Sequence, residues 1–204
     1  LVCCVHRPGA EALPNGVWVP VACDPEFHRA PGTSRRLEVA FVGTEGGVPR
    51  KFYLHALRER YPNNVIGHAP HTELSAIYGQ ARIGFNYSIR HDVNMRMFEI
   101  LCSGALLVTN RLRHKDVARL GFEEGRHYVA YRRPHELFER IDYYLSHDAE
   151  RETIAQAGCA LVQRHHTYQH RLRQILQVAQ ERIGVQLPSS LQRVPQEVIP
   201  CASL

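Results

Sequence analysis

No apolar run in this 204-residue sequence approaches the roughly 18–20 residues that a membrane-spanning helix requires. The start has neither the basic flank nor the long apolar core of a secretory leader. The first residue is Leu1 rather than Met, and "LVCCV" reads as the interior of a strand, so the chain is expected to be cut from something longer, with a cytoplasmic location. The six cysteines (Cys3, Cys4, Cys23, Cys102, Cys159, Cys201) contain no CxxC spacing, which argues for buried, reduced thiols rather than a disulfide framework. Internal repeats and low-complexity tracts are absent. So are GxGxxG and the P-loop, and no Ser/His/Asp or Cys/His arrangement can be picked out from spacing.

What remains is ordinary globular composition, 22% charged and 44% hydrophobic, in a length that can bury one sizeable core or two small ones. The net charge of +5 favours anionic partners in general. Aromatic residues do not interleave with the basic ones as a base-stacking surface for nucleic acid would require. Among 13 histidines, His166 and His170 have a helical ligand spacing. No Glu or Cys completes a set beside them, so "RHHTYQHRLRQ" reads as a solvated cationic helix face and no metal is expected.

From Leu37 onward, short apolar runs alternate with helical stretches. "LEVAFVG", "NVIG", "RIGFNYS", "ALLVTN" and "RHYVAY" read as strands. Helices are predicted over Lys51 to Tyr61, "HTELSAIYGQ", the segment after Asp92, "HKDVARLG", Pro134–Leu145, Ala149–Gln163 and about Thr167–Ile183, with Asp148 as a cap and Gly121 as a stop. The pattern predicts an α/β fold, a doubly wound, Rossmann-like parallel sheet of five or six strands covered on both faces. Three segments are predicted: an N-terminal partial segment and linker over 1–36, the sheet domain over 37–185, and an extended tail over 186–204.

Ligands of such sheets bind beyond the carboxyl ends of the strands. Three segments lie there. "GTEGGVPRK" offers Gly43, Gly46 and Gly47 for close backbone approach, with Arg50 and Lys51 opening the next helix as a phosphate site or as solvated turn residues. In "NYSIRHDVNMRMFE", Asp92 is expected to cap a helix that starts at Val93. Its first amides, at Val93, Asn94 and Met95, would then face a ligand, with Arg90 and Arg96 close by. Glu99 sits further along among Met97, Phe98, Ile100 and Leu101, where it either pairs with Arg96 on an exposed face or meets a ligand hydroxyl. "GHAPHTEL" puts Gly67, His68 and His71 in a loop ahead of Thr72, as a base pocket or as a plain connection.

Five segments, "WVPVACDPEFHR", "FVGTEGGVPRKFYLHALRERYP", "GHAPHTELSAIYGQARIGFNYS", "DVNMRMFEILCSGALLVTN" and "HTYQHRLRQIL", together resemble GT-B glycosyltransferases. Within these they are similar to the spore-maturation-protein branch of the glycosyltransferase group 1 family, from about Val17 to Leu176. The resemblance implies a C-terminal domain that binds a nucleotide-diphosphate sugar and passes the sugar to an acceptor. No cofactor or metal is implied, and the acceptor-binding domain would lie outside this chain. By the same resemblance Glu99 would hold the donor ribose. The helix start at Val93, Asn94, Met95 and Arg96, with Arg50, Lys51 and Gly43, would face the diphosphate. Many relatives carry a second glutamate eight residues before the ribose one. His91 stands there with Asp92 beside it, and these two are the candidates for the catalytic role. A non-catalytic nucleotide-binding or scaffold module on the same fold is the alternative.

Overall fold

The structure, a computed structural model, describes residues 1–30 and 34–186. The chain opens with β1 (Val2–Cys4), α1 (Arg7–Glu11) and β2 (Gly16–Trp18), whose two strands pair in parallel, and then α2 (Pro25–His28). Pro20 lies just past the end of β2, where a missing backbone N–H breaks no ladder. Next come β3 (Leu37–Val42), α3 (Arg50–Arg60), β4 (Asn64–Gly67), a single 3₁₀ turn (His71–Glu73), α4 (Leu74–Gly79) and β5 (Ala81–Asn86). Then follow α5 (Met95–Cys102), β6 (Leu106–Asn110), α6 (His114–Arg119), β7 (Val129–Tyr131), α7 (Pro134–Ser146), α8 (Asp148–His165) and α9 (Tyr168–Ile183). Apart from Gln186, the tail expected over 186–204 lies outside the described residues.

The five apolar runs form one all-parallel sheet in the order β4-β3-β5-β6-β7. Period-2 alternation splits each strand between two cores. Val39, Phe41, Ile83, Phe85, Leu106 and Val108 face α3 and α7, while Ala40, Val42 and Leu107 face α4 and α5. Gly84 is a packing glycine, since a Cβ there would stand 2.3 Å from Cγ2 of Ile100 and so hold α5 off the sheet. The order reverses at β3, so β3 and β5 flank the switch point where their connections leave on opposite sides.

Three local expectations are corrected. The helix after Asp92 begins at Met95 rather than Val93, and its cap is Asn94, whose Oδ1 accepts the Met97 amide at 3.3 Å. Asp92 is instead held in the preceding turn, accepting the Ser88 hydroxyl at 2.6 Å and facing His6 Nδ1 at 2.9 Å. Asp148 is the first residue of α8, paired with Arg151, and His147 occupies the cap position. His166 and His170 do not share a helix: His166 ends α8, while His170 closes a capping box with Thr167 at the start of α9. Nor is that segment a solvated face, because Arg171 is buried and donates to Pro20 O at 2.9 Å and to His166 Nδ1 at 2.9 Å. These bonds, with Cys23 N–H on His166 O at 3.0 Å, tie the segment after β2 to α9. Cys3, Cys4, Cys23, Cys102 and Cys159 are free thiols, and no described helix is long and apolar enough to cross a membrane.

Candidate functional site

At the switch point two arginines gather on one aromatic ring. The Arg96 guanidinium lies 4.3 Å and that of Arg50 6.0 Å from the centroid of Phe41, the penultimate residue of β3. Arg96 donates through Nε to Val42 O at 2.9 Å and through Nη1 to Asn86 Oδ1 at 3.4 Å, so both strand ends hold it. Asn86 in turn receives Asn94 Nδ2 at 3.2 Å, which links the end of β5 to the cap of α5. Arg50 donates to Glu45 O at 2.8 Å. Burial, followed by the charge of Arg96, lowers the Arg50 pKa. Neither arginine forms an ion pair among the described residues, while Arg58 takes the Glu45 carboxylate.

The glycines make room for this pair. Gly43 has φ +145° and its missing Cβ would stand 2.1 Å from Arg96 Nη2, and Gly46, φ +67°, leaves the same kind of space for Arg50. Arg96 is the second residue of α5, so its guanidinium belongs to the same helix start whose first amides carry the positive end of the helix dipole. Lys51 is exposed on α3, where its charge helps to lower the Glu45 pKa behind the larger effect of Arg58. Val93 is buried in the core, Met95 is exposed and receives the Tyr168 hydroxyl at 3.6 Å, and Arg90 is exposed.

Glu99 is 5% exposed and forms neither an ion pair with Arg96 nor a hydrogen bond through its carboxylate among the described residues. The exposed ion-pair reading is therefore overturned: its partner is turned away to the strand ends. Desolvation raises the Glu99 pKa, with Arg96 and His71 acting against it. Of the loop after β4, His71 is brought within 4.8 Å of Glu99, together with His28 from α2. His68 stays exposed, and Thr72 lies inside the 3₁₀ turn without capping it.

Beyond the ends of β5, β6 and β7 a cleft of about 490 Å³ opens, with Tyr53, His91, Arg111, Arg113 and Tyr131 in its wall. The described lining contains no carboxylate. His91 stands in the left-handed region at φ +56°, an uncommon place for a residue with a Cβ. Its Nδ1 donates to Arg111 O at 2.7 Å, which leaves Nε2 as the lone-pair nitrogen of the neutral ring.

Gly43, Arg50, Arg96 and Glu99 are candidates legible in the sequence, whereas Asn86, Phe41 and His28 join them only in the structure. An asparagine ending an apolar strand was a legible signal for Asn86. Phe41 read as ordinary core, and His28, far away in sequence, carried none.

A family model described as "Glycosyl transferase-like" matches residues 28–177. No curated protein matches the sequence significantly. Among solved structures, HepE of Anabaena, determined with UDP and glucose, superposes with a TM-score of 0.68 at 11% identity over 89% of this chain and 63% of its own. TarM of S. aureus, determined with UDP among its ligands, gives 0.67 at 10% identity over 86% of this chain and 43% of its own. The C-terminal domain of a glycosyl transferase group 1 family protein (LpcC) from Francisella tularensis gives 0.53 at 12% identity, over 70% of this chain and 97% of that domain. The chain thus spans about two fifths to three fifths of the length of HepE and TarM, and nearly all of the isolated domain.

Proposed function

The chain belongs to the glycosyl transferase-like family, with the sheet of a GT-B C-terminal domain, and from that premise we propose that it binds the nucleotide-diphosphate sugar donor of a sugar-transfer reaction. The observation that carries this reading is the pair of guanidiniums, Arg50 and Arg96, that have no ion pair among the described residues and gather on Phe41 near a helix start at the switch point. Two like charges brought together with no carboxylate paired to them among the described residues call for an anion between them. A diphosphate fits, and it needs charge stabilisation when it leaves the sugar. Fixed cations and helix amides supply that, so the reaction needs neither metal nor cofactor. Glu99 accepts the hydroxyls of the ribose. The sugar extends toward the cleft walled by His91, Arg111 and Arg113, where the lone-pair Nε2 of His91 is the candidate to contact it or take a proton from the acceptor. Asp92, engaged by Ser88 and His6, orients the turn that presents His91. The acceptor-binding half is assigned to a second domain outside this chain.

Thermal unfolding with UDP, ADP, GDP and UDP-glucose tests the reading. At one hundred times the dissociation constant, a bound nucleotide adds about 2.7 kcal/mol of stability. Absence of any shift at millimolar concentration for all four refutes it.

A further inference from the structure

Near the Glu99 carboxylate lies a buried donor with no acceptor among the described residues. His28, the last residue of α2, is 3% exposed, and its Nδ1 accepts the Asp24 amide at 2.9 Å. The lone pair of Nδ1 is thereby used, so the neutral ring carries its proton on Nε2, and Nε2 has no partner among the described residues. Burial, and then the charge of His71, depress the His28 pKa, with Asp24 acting against them. Ring nitrogens of His28 and His71 and a carboxylate oxygen of Glu99 lie within 4.8 Å of one another. The Ser103 hydroxyl, 2.6 Å from His28 O and 2.8 Å from Glu99 O, holds the end of α2 in register with α5. The His28 ring and the Glu99 carboxylate thus share one cluster with no hydrogen bond between them among the described residues. A hydroxyl oxygen at about 2.8 Å from each can span such a gap.

Two histidines and a glutamate also match a zinc ligand count. A ligand nitrogen needs a free lone pair, however, and the one on His28 is taken by the Asp24 amide. Metal binding there would release that amide and the start of α2.

We propose that His28 Nε2–H and the Glu99 carboxylate form a two-ended clamp for adjacent hydroxyls, so that the site selects a ribonucleotide over its deoxy analogues. This inference rests on the donor-site reading of Glu99. Calorimetric titration with UDP, 2′-deoxy-UDP and 3′-deoxy-UDP tests it. The wild-type chain is expected to lose tenfold or more in affinity with at least one deoxy analogue. His28→Asn keeps an acceptor near the Nδ1 position but removes the donor, and is expected to reduce that discrimination to threefold or less. His28→Gln, whose amide nitrogen reaches the Nε2 position, is expected to restore it. In ¹⁵N-histidine spectra of the wild type, the His28 Nε2–H resonance is expected to shift with UDP, a readout that needs no folded variant. Full discrimination in folded His28→Asn, or an unmoved Nε2–H resonance, overturns the clamp while leaving the donor site standing. Stoichiometric zinc binding that is lost in both His28→Asn and His71→Ala and competes with UDP overturns it in favour of a metal. A wild-type chain that binds none of UDP, ADP and GDP fails the donor-site reading, and the clamp with it.

Discussion

Replacing Glu99 by glutamine keeps the side-chain volume and removes the charge, and the consequences for binding and for stability have opposite signs. In the free protein the carboxylate is buried without a hydrogen bond among the described residues, a state that costs about 1–3 kcal/mol. With a nucleotide bound, it accepts charge-assisted hydrogen bonds that contribute about 1.5–3 kcal/mol, against about 0.5–1.5 kcal/mol for a neutral amide acceptor. Glu99→Gln is therefore expected to weaken nucleoside diphosphate binding by about 1.5 kcal/mol, roughly tenfold. It is also expected to stabilise the unliganded chain at pH 7 by about 1–3 kcal/mol, at about 2–4 °C in Tm per kcal/mol. The pH dependence fixes the origin of that gain. The folded pKa of Glu99 is raised above the ordinary value of 4.5, so the folded state binds the proton more tightly. Wild-type stability then falls as pH rises from 4.5 through the raised pKa, whereas the glutamine variant has no such fall. The two proteins should converge in Tm at pH 4.5 and below. Isothermal titration with UDP and calorimetric unfolding between pH 4 and 8 measure both effects. Unchanged affinity in a folded variant, or a variant less stable than wild type at pH 7, refutes the reasoning.

Gly43→Ala places a Cβ where Arg96 Nη2 lies and in a φ that disfavours side chains. It should lower UDP affinity at least tenfold while the chain still unfolds cooperatively, checked by titration and circular dichroism. Arg171→Leu strands Pro20 O and His166 Nδ1 and should cost about 3 kcal/mol in urea unfolding. Burial, with the charge of Arg171, pushes His166 down to about 3, so the folded protein resists a proton that the unfolded chain accepts. Stability should therefore be lost as pH falls from about 6.5 toward 3, by up to about 1.4 kcal/mol per pH unit for this one group. His166→Gln should flatten that slope in pH-dependent unfolding. Arg111→Gln with Arg113→Gln, in the cleft wall away from the Phe41 arginines, should leave UDP affinity within twofold and weaken UDP-sugar discrimination, measured by parallel titrations.

The sheet was legible because its code is local. Short apolar runs bounded by glycine and polar turns can only be strands covered on both faces, and their alternation with helices leaves a parallel order. Helix ends were less legible. Asp92 was the expected cap, yet Asn94 takes that place, because Ser88 and His6 claim the Asp92 carboxylate. The same competition moved the start of α8: Arg151 takes Asp148, so His147 is left at the cap.

The candidate site divides along the same line. Gly43, Arg50, Arg96 and Glu99 could be named from sequence because each stands at a fixed offset from a strand end or helix start. Their relations could not. Sequence left open whether Arg96 pairs with Glu99 three residues away, and it turns instead to Val42 and Asn86, because two strand ends offer carbonyl oxygens at the switch point. His28 reaches Glu99 across about seventy residues through the docking of α2 on α5. By itself the sequence determined which segments from Leu37 onward are strands and helices, since hydrophobic period and turn chemistry act over a few residues. Only the tertiary structure decided which charges and which donor find a partner among the described residues, because burial and partner choice are set by groups that meet through folding alone.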